Sequence, residues 1–158
     1  AALAVWPFNA DGDMDGPGGE PYRMILGALS PVEIQFRTKM AAIRERAEAA
    51  PDDLRRARGL ALGLLESVQA VSLRMSGLAQ AALARLYLIQ ARVAGHPLPP
   101  LEGRPALDGA ALFLTRAERL LAGSGQGTPH DRRGLAGLRG AIDAQQAMDG
   151  DRVVGAAA

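Results

Sequence analysis

The sequence predicts an all-α fold: four or five helices packed as antiparallel hairpins, in a bundle or a short solenoid, behind an extended N-terminal arm. Three observations carry this. Aromatic residues make up 4% of the chain and hydrophobic residues 48%, so the core has to be built from Leu, Ala, Val, Ile and Met; strands draw more heavily on aromatic and β-branched residues. Two helix starts are written out, at Ser30-Pro31-Val32-Glu33 and Thr128-Pro129-His130-Asp131, each with a capping side chain, proline at the first helical position and an acid two residues on. Between them, apolar residues recur at steps of three and four. At 158 residues the length fits one domain with an extension, divided as an arm and acidic Gly/Pro-rich linker at 1–29, a helical domain at 30–149 and a flexible tail at 150–158.

The opening AALAVWPF is a short apolar run with Trp6 near its end. It is far shorter than the roughly 20 residues that span a bilayer and reads as an arm that packs on the domain. The alternatives are the end left by a cleavage, or the tail of a membrane helix, since Trp favours the membrane interface; the last would put a membrane next to the N-terminus. Residues 9–21 are dominated by Gly, Pro and Asp and form a linker.

The first helix begins at the Ser30 cap and carries Val32, Phe36, Met40, Ile43 and Ala47 on one stripe; Pro51 ends it. Asp52 restarts the helix, with Asp53 in its first turn, where negative charge is favoured. From Leu54 to Ala94 there is no proline, and Ala57, Ala61, Leu64, Val68, Val71, Met75, Leu78 and Ala82 form a seam. One helix of that length would run roughly 60 Å, so a hairpin is expected, 53–74 and 77–94, broken at Ser76 and Gly77. The second of these is apolar nearly all round and should be central. HPLPPLEGRP is a rigid connector. Asp108 then caps a helix that Gly123 ends. The last helix starts at Thr128, shows a thin apolar face of Leu135, Leu138, Ile142 and Met148, and stops at Gly150.

Composition narrows the function classes. The net charge of +1 exerts no global pull toward nucleic acid or anionic lipid. Lys39 is the only lysine among 18 basic side chains, which together with the Ala and Gly excess reads as the codon bias of a GC-rich, bacterial genome. The absence of cysteine excludes disulfides, thiolate nucleophiles and cysteine-based zinc sites. It leaves the redox compartment open, so the localisation is unknown from sequence, with a cytoplasmic or membrane-associated setting favoured over a secreted one.

Four features bear on chemistry. In DGDMDGPGGE, Asp11, Asp13, Asp15 and Gly16 fill the first positions of a calcium loop of the EF-hand type, but Tyr22 stands where the bidentate Glu belongs. Glu20 is the substitute ligand, so the calcium reading uses Asp11, Asp13, Asp15 and Glu20, and the alternative is a solvated acidic linker. The glycines of AGSGQGTPHDRR precede a helix N-terminus and present N–H groups to an anion, without the lysine or strand of a phosphate loop. His96 and His130 have no ligand partner at helical spacing. Arg37, Arg44, Arg55 and Arg58 fall on exposed helix faces and are the candidate partner-binding residues. The acids interleaved with them, and the lack of aromatics to stack on bases, argue against nucleic acid.

AALARLYLIQARVAGHPL followed by ALFLTRAERLLAGSG resembles a tetratricopeptide-type helical hairpin, degenerate in form, over residues 44–123. Ala81, Ala84 and Ala117 stand where paired helices touch, with Leu86, Tyr87 and Leu120 between them. The connector at 96–108 is longer than a regular repeat allows, and no period near 34 residues recurs cleanly. The resemblance implies a protein-binding or scaffold role. The leading expectation is therefore a non-enzymatic protein–protein interaction module, a subunit or soluble domain of a membrane-associated assembly. The alternatives are a calcium-responsive module, and a small helical ligand-binding protein or enzyme.

Overall fold

A computed structural model describes residues 30–157 of the chain, with side chains to residue 151. Asp11, Asp13, Asp15, Glu20 and the whole N-terminal arm lie outside the described residues. Those residues form five α-helices and one 3-10 turn, with no strand among them: α1 (Pro31–Ala49), α2 (Arg55–Val68), α3 (Leu73–Arg92), the turn Leu101–Gly103, α4 (Ala106–Ser124) and α5 (Pro129–Ala157). The all-α class is thus what the structure shows. The chain divides into two compact units, 1–38 and 39–158. In the first, the described part is the opening of α1.

That opening is capped as its sequence requires: Ser30 Oγ accepts from the Glu33 amide at 3.1 Å. Phe36, Ile43 and Ala47 of the α1 stripe are buried, whereas Val32 is exposed. In the second unit α3 is the central helix. It packs against α2, α4 and α5 and buries residues on nearly every side, among them Met75, Ala79, Leu83, Leu86 and Tyr87.

The α2–α3 break falls at 69–72, four residues before the expected one. Ser72 is extended (φ −154°, ψ 123°) and its hydroxyl caps α3 by accepting from Met75 N at 3.1 Å. The shifted phase leaves Val71 out in solvent. Ser76 and Gly77, which read as breakers, are instead buried inside α3 for packing reasons. Ser76 Oγ donates to the Val68 carbonyl at the end of α2. Gly77 lets α4 approach so closely that a Cβ there would lie 3.1 Å from the Ala117 carbonyl oxygen and 3.3 Å from Leu120 Cβ.

The remaining helix ends also differ from expectation in instructive ways. α2 starts at Arg55, after Asp53 has accepted from the Arg55 amide at 3.3 Å. α4 begins at Ala106 behind an extended Pro105, which leaves Asp108 in the first turn rather than at the cap. It ends at Ser124, one residue past Gly123, and Gly125 after it takes the left-handed conformation at φ 67°. α5 runs through Gly150 to Ala157. A helical glycine costs only about 1 kcal/mol relative to alanine, and Gly150 does not adopt the positive φ that would end the helix.

The proline-rich connector is fastened at three points. His96 N donates to the Asp52 carbonyl at 2.9 Å, Leu98 N donates to Gln90 Oε1 at 2.9 Å, and the Tyr87 hydroxyl donates to the Pro99 carbonyl. At the first point the chain passes so near the α1–α2 turn that a Cβ on Gly95 would be driven into the Asp52 backbone. Gly95→Ala is therefore expected to lower stability by about 1–3 kcal/mol, measured by urea unfolding, whereas Gly63→Ala on the open face of α2, where a Cβ meets nothing within 4 Å, should be neutral or stabilising.

α5 lies at the edge. It buries one stripe, Asp131, Leu135, Leu138, Ile142 and Gln145, against α4 and α3. Its polar ties run to both neighbours: Arg139 donates to Glu118 at 2.8 Å and to Thr115 at 3.0 Å, and Arg92 donates to Gln145 at 3.3 Å.

Candidate functional site

The four arginines expected to face a partner do four different things. Arg37 pairs with Glu33 one helical turn away, Nε to Oε2 at 3.3 Å. Arg55 holds Asp53 through two bonds of 2.8 Å; that hydrogen bonding, foremost, keeps the Asp53 carboxyl well below the usual carboxylate range. Arg58 donates to the Tyr87 hydroxyl at 3.0 Å, so it fixes the hydroxyl that in turn holds the connector. Only Arg44 of the four is left without a hydrogen-bond or ion-pair partner among the described residues.

Arg44 stands at a groove between the C-terminal half of α1 and the middle of α3. The groove encloses a cavity of about 100 Å³ lined by Met40, Ile43, Ala47, Ala82, Leu86 and Ile89, with Arg44, Glu48 and Arg85 at its rim. Arg85 likewise has no polar partner among the described residues. Its apolar surroundings first, and the Arg44 charge second, push its pKa below the ordinary arginine value. The residue keeps contact with solvent, and an arginine stays charged at neutral pH, so two positive charges are held on one apolar groove without a counter-ion bonded to either. Glu48 shares the rim, so the groove carries two positive charges and one negative, all three exposed to solvent.

Sequence reading found Arg44 and missed Arg85. The signal was present: Arg85 is the one charged residue in LAQAALARLYLIQ, an otherwise apolar and amide-bearing stretch of the central helix. Its spacing from Ala82 and Ile89, three and four residues away, puts it on the face turned to α1.

The glycine loop and the cap before α5 are taken up by contacts within the fold. The glycine loop before α5 borders a larger open cavity of about 390 Å³ that includes Glu118, Leu121, Arg132 and Leu135. There Arg132 Nη1 already donates to the Gly127 carbonyl at 2.7 Å, and Asp131 is turned inward. Asp131 Oδ2 accepts from the Thr128 amide while Thr128 Oγ1 accepts from the Asp131 amide, both at 3.0 Å. Among the described residues no group of three or more His, Asp or Glu side chains could hold a metal ion. No helix among them is long and apolar enough to cross a membrane.

Fold and groove together define an all-α helical bundle with an amphipathic, positively rimmed groove. No family model, curated protein or solved structure matches the chain.

Proposed function

We propose that this chain is a non-enzymatic protein–protein interaction module whose recognition surface is the α1/α3 groove. The observation that carries the reading is the pair of unpaired guanidiniums, Arg44 and Arg85, over an apolar floor. A surface of this kind complements a partner segment that presents an apolar side chain beside a carboxylate, the apolar part supplying affinity and the charge supplying orientation and encounter rate. The tetratricopeptide-like resemblance of residues 44–123 supports the same role, since such hairpins bind other proteins along their helix faces. A subunit or soluble-domain role in a membrane-associated assembly belongs to the same proposal and draws on the apolar start of the chain.

Site-specific photo-crosslinking tests it. A photoreactive amino acid in place of Glu48, at the groove rim, is expected to yield a discrete protein adduct in the chain's own cells. The same residue in place of the exposed Arg119 on α4 should yield none. Equal adducts from both positions, or none from Glu48, would remove the groove as the recognition surface.

A further inference from the structure

α2 buries Ala57, Ala61, Leu64 and Val68 and turns a bare face outward. Gly59 and Gly63, one helical turn apart, run along the middle of that face, and a Cβ on either would meet nothing within 4 Å. Leu60 beside them is 44% exposed. Glycine inside a helix is unfavourable relative to alanine, and what it offers instead is room for another backbone to come close. The glycines of α5, Gly134, Gly137 and Gly140, are equally open. At intervals of three residues, however, they wind around their helix rather than line one face.

The charges on the α2 face decide what covers it. Arg56 and Glu66 are both exposed, and neither has a hydrogen-bond or ion-pair partner among the described residues. They stand five residues before and five residues after Ala61, while Gly59 and Gly63 stand two before and two after. Turned end for end about the level of Ala61, the face therefore sets glycine on glycine and acid on base. A two-fold contact has this property, residue i meeting j while j meets i, and an unrelated partner would not require it. Parallel pairing would instead set Arg56 beside Arg56 and Glu66 beside Glu66, and like charges repel.

We infer that the outer face of α2 binds a second copy of this chain, as a two-fold antiparallel helix pair centred at the level of Ala61. Gly59 of each copy lies against Gly63 of the other, which brings the two helix axes close. Arg56 of each copy reaches Glu66 of the other, and the two Leu60 side chains cover one another along one edge of the pair. None of these residues belongs to the α1/α3 groove, so the inference does not rest on the reading above. A single helix face buries less than the roughly 800 Å² per partner of a standard interface. The dimer is accordingly weak, with a Kd on the order of 100 μM.

Sedimentation equilibrium of the whole chain, from about 10 μM to about 1 mM, brackets that value. The wild type should pass from monomer to dimer across the range. Gly63→Leu places a large side chain on an open stretch of helix. Its melting temperature when dilute should equal or exceed that of the wild type, while its dimer should be roughly tenfold weaker or worse. Arg56→Glu and Glu66→Arg should each weaken the dimer by roughly tenfold, because two-fold symmetry turns two attractions into repulsions at once. The double variant Arg56→Glu/Glu66→Arg restores opposite charges at both ends and should dimerise about as the wild type does. A monomer at every concentration would overturn the inference. So would a dimer indifferent to Gly63→Leu, which would put self-association on another surface. A double variant no tighter than either single one would overturn it too, because the antiparallel register requires the rescue.

Discussion

Replacing Tyr87 with alanine should lower the stability of the chain by about 3–5 kcal/mol, the range for a fully buried aromatic, and its melting temperature by roughly 10 °C or more. Tyr87 is 1% exposed and ranks among the largest fully buried side chains. Its ring lies 5.4 Å from that of Phe113, tilted at 38°, and so joins α3 to α4. Its hydroxyl accepts from Arg58 on α2 and donates to Pro99 in the connector. One side chain therefore ties two helices and a proline-rich loop to the central helix. Tyr87→Phe separates the two contributions. It keeps the ring and loses the hydroxyl, and since Pro99 can turn to water, the cost should be only about 1 kcal/mol. Chemical unfolding of both variants checks this; a phenylalanine variant as damaged as the alanine one would place the weight on the hydroxyl network instead of the ring.

Asp131→Asn is the second large effect, at about 2–4 kcal/mol. Asp131 closes the capping box of α5 and also accepts from Arg74 at the start of α3, at 2.7 and 3.2 Å. The side chains of this pair are 5% and 18% exposed. Removing the charge weakens a largely buried ion pair and the cap of α5 together. Burial acts to raise the Asp131 pKa, but the hydrogen bonds from Arg74 and Thr128 outweigh it and set the carboxyl below its ordinary value of 3.8. A folded-state pKa below the unfolded one contributes stability that is fully present above the unfolded value and is lost as the pH falls through the folded value. The wild-type chain should thus lose stability on acidification below about pH 4 more steeply than Asp131→Asn. Melting curves at neutral pH and through the acid range measure both slopes, and parallel slopes would contradict the assignment.

How far the sequence reached depends on what each feature rests on. The caps at Ser30 and Thr128 are local chemistry, with donor and acceptor three residues apart: the Thr128–Asp131 box formed in both halves, and at Ser30 the hydroxyl accepts from the Glu33 amide. The central, nearly all-round apolar character of α3 was legible for the same reason, in a stretch rich in Ala and Leu with Arg85 as its one charge. The Ser76–Gly77 break was misplaced because a glycine reads identically whether it ends a helix or lets another helix come close. Only the approach of Ala117, about forty positions away, distinguishes the two. Arg58 could not be separated from Arg44 by pattern, since both are exposed-face arginines until Tyr87 is placed beside one of them. The same holds for the site. Arg44 was visible, but the groove exists only where α1 meets α3, and Arg85 became its counterpart through that packing.

The consequence for mutagenesis is direct. Replacing Arg37, Arg44, Arg55 and Arg58 together would mix a test of recognition with damage to the Tyr87 link and to two local ion pairs. Arg44 and Arg85 are the pair to change, because neither has a polar partner among the described residues to lose.

The measurement that bears most directly on the central claim is affinity capture of the tagged chain from its own cells, beside an Arg44→Gln/Arg85→Gln variant, in calcium and in a chelator. A discrete partner that co-elutes with the wild type in both buffers, and is absent from a variant of equal melting temperature, is the predicted result. A partner retained by the variant, or one that appears only with calcium and so follows Asp11, Asp13, Asp15 and Glu20, would contradict the account.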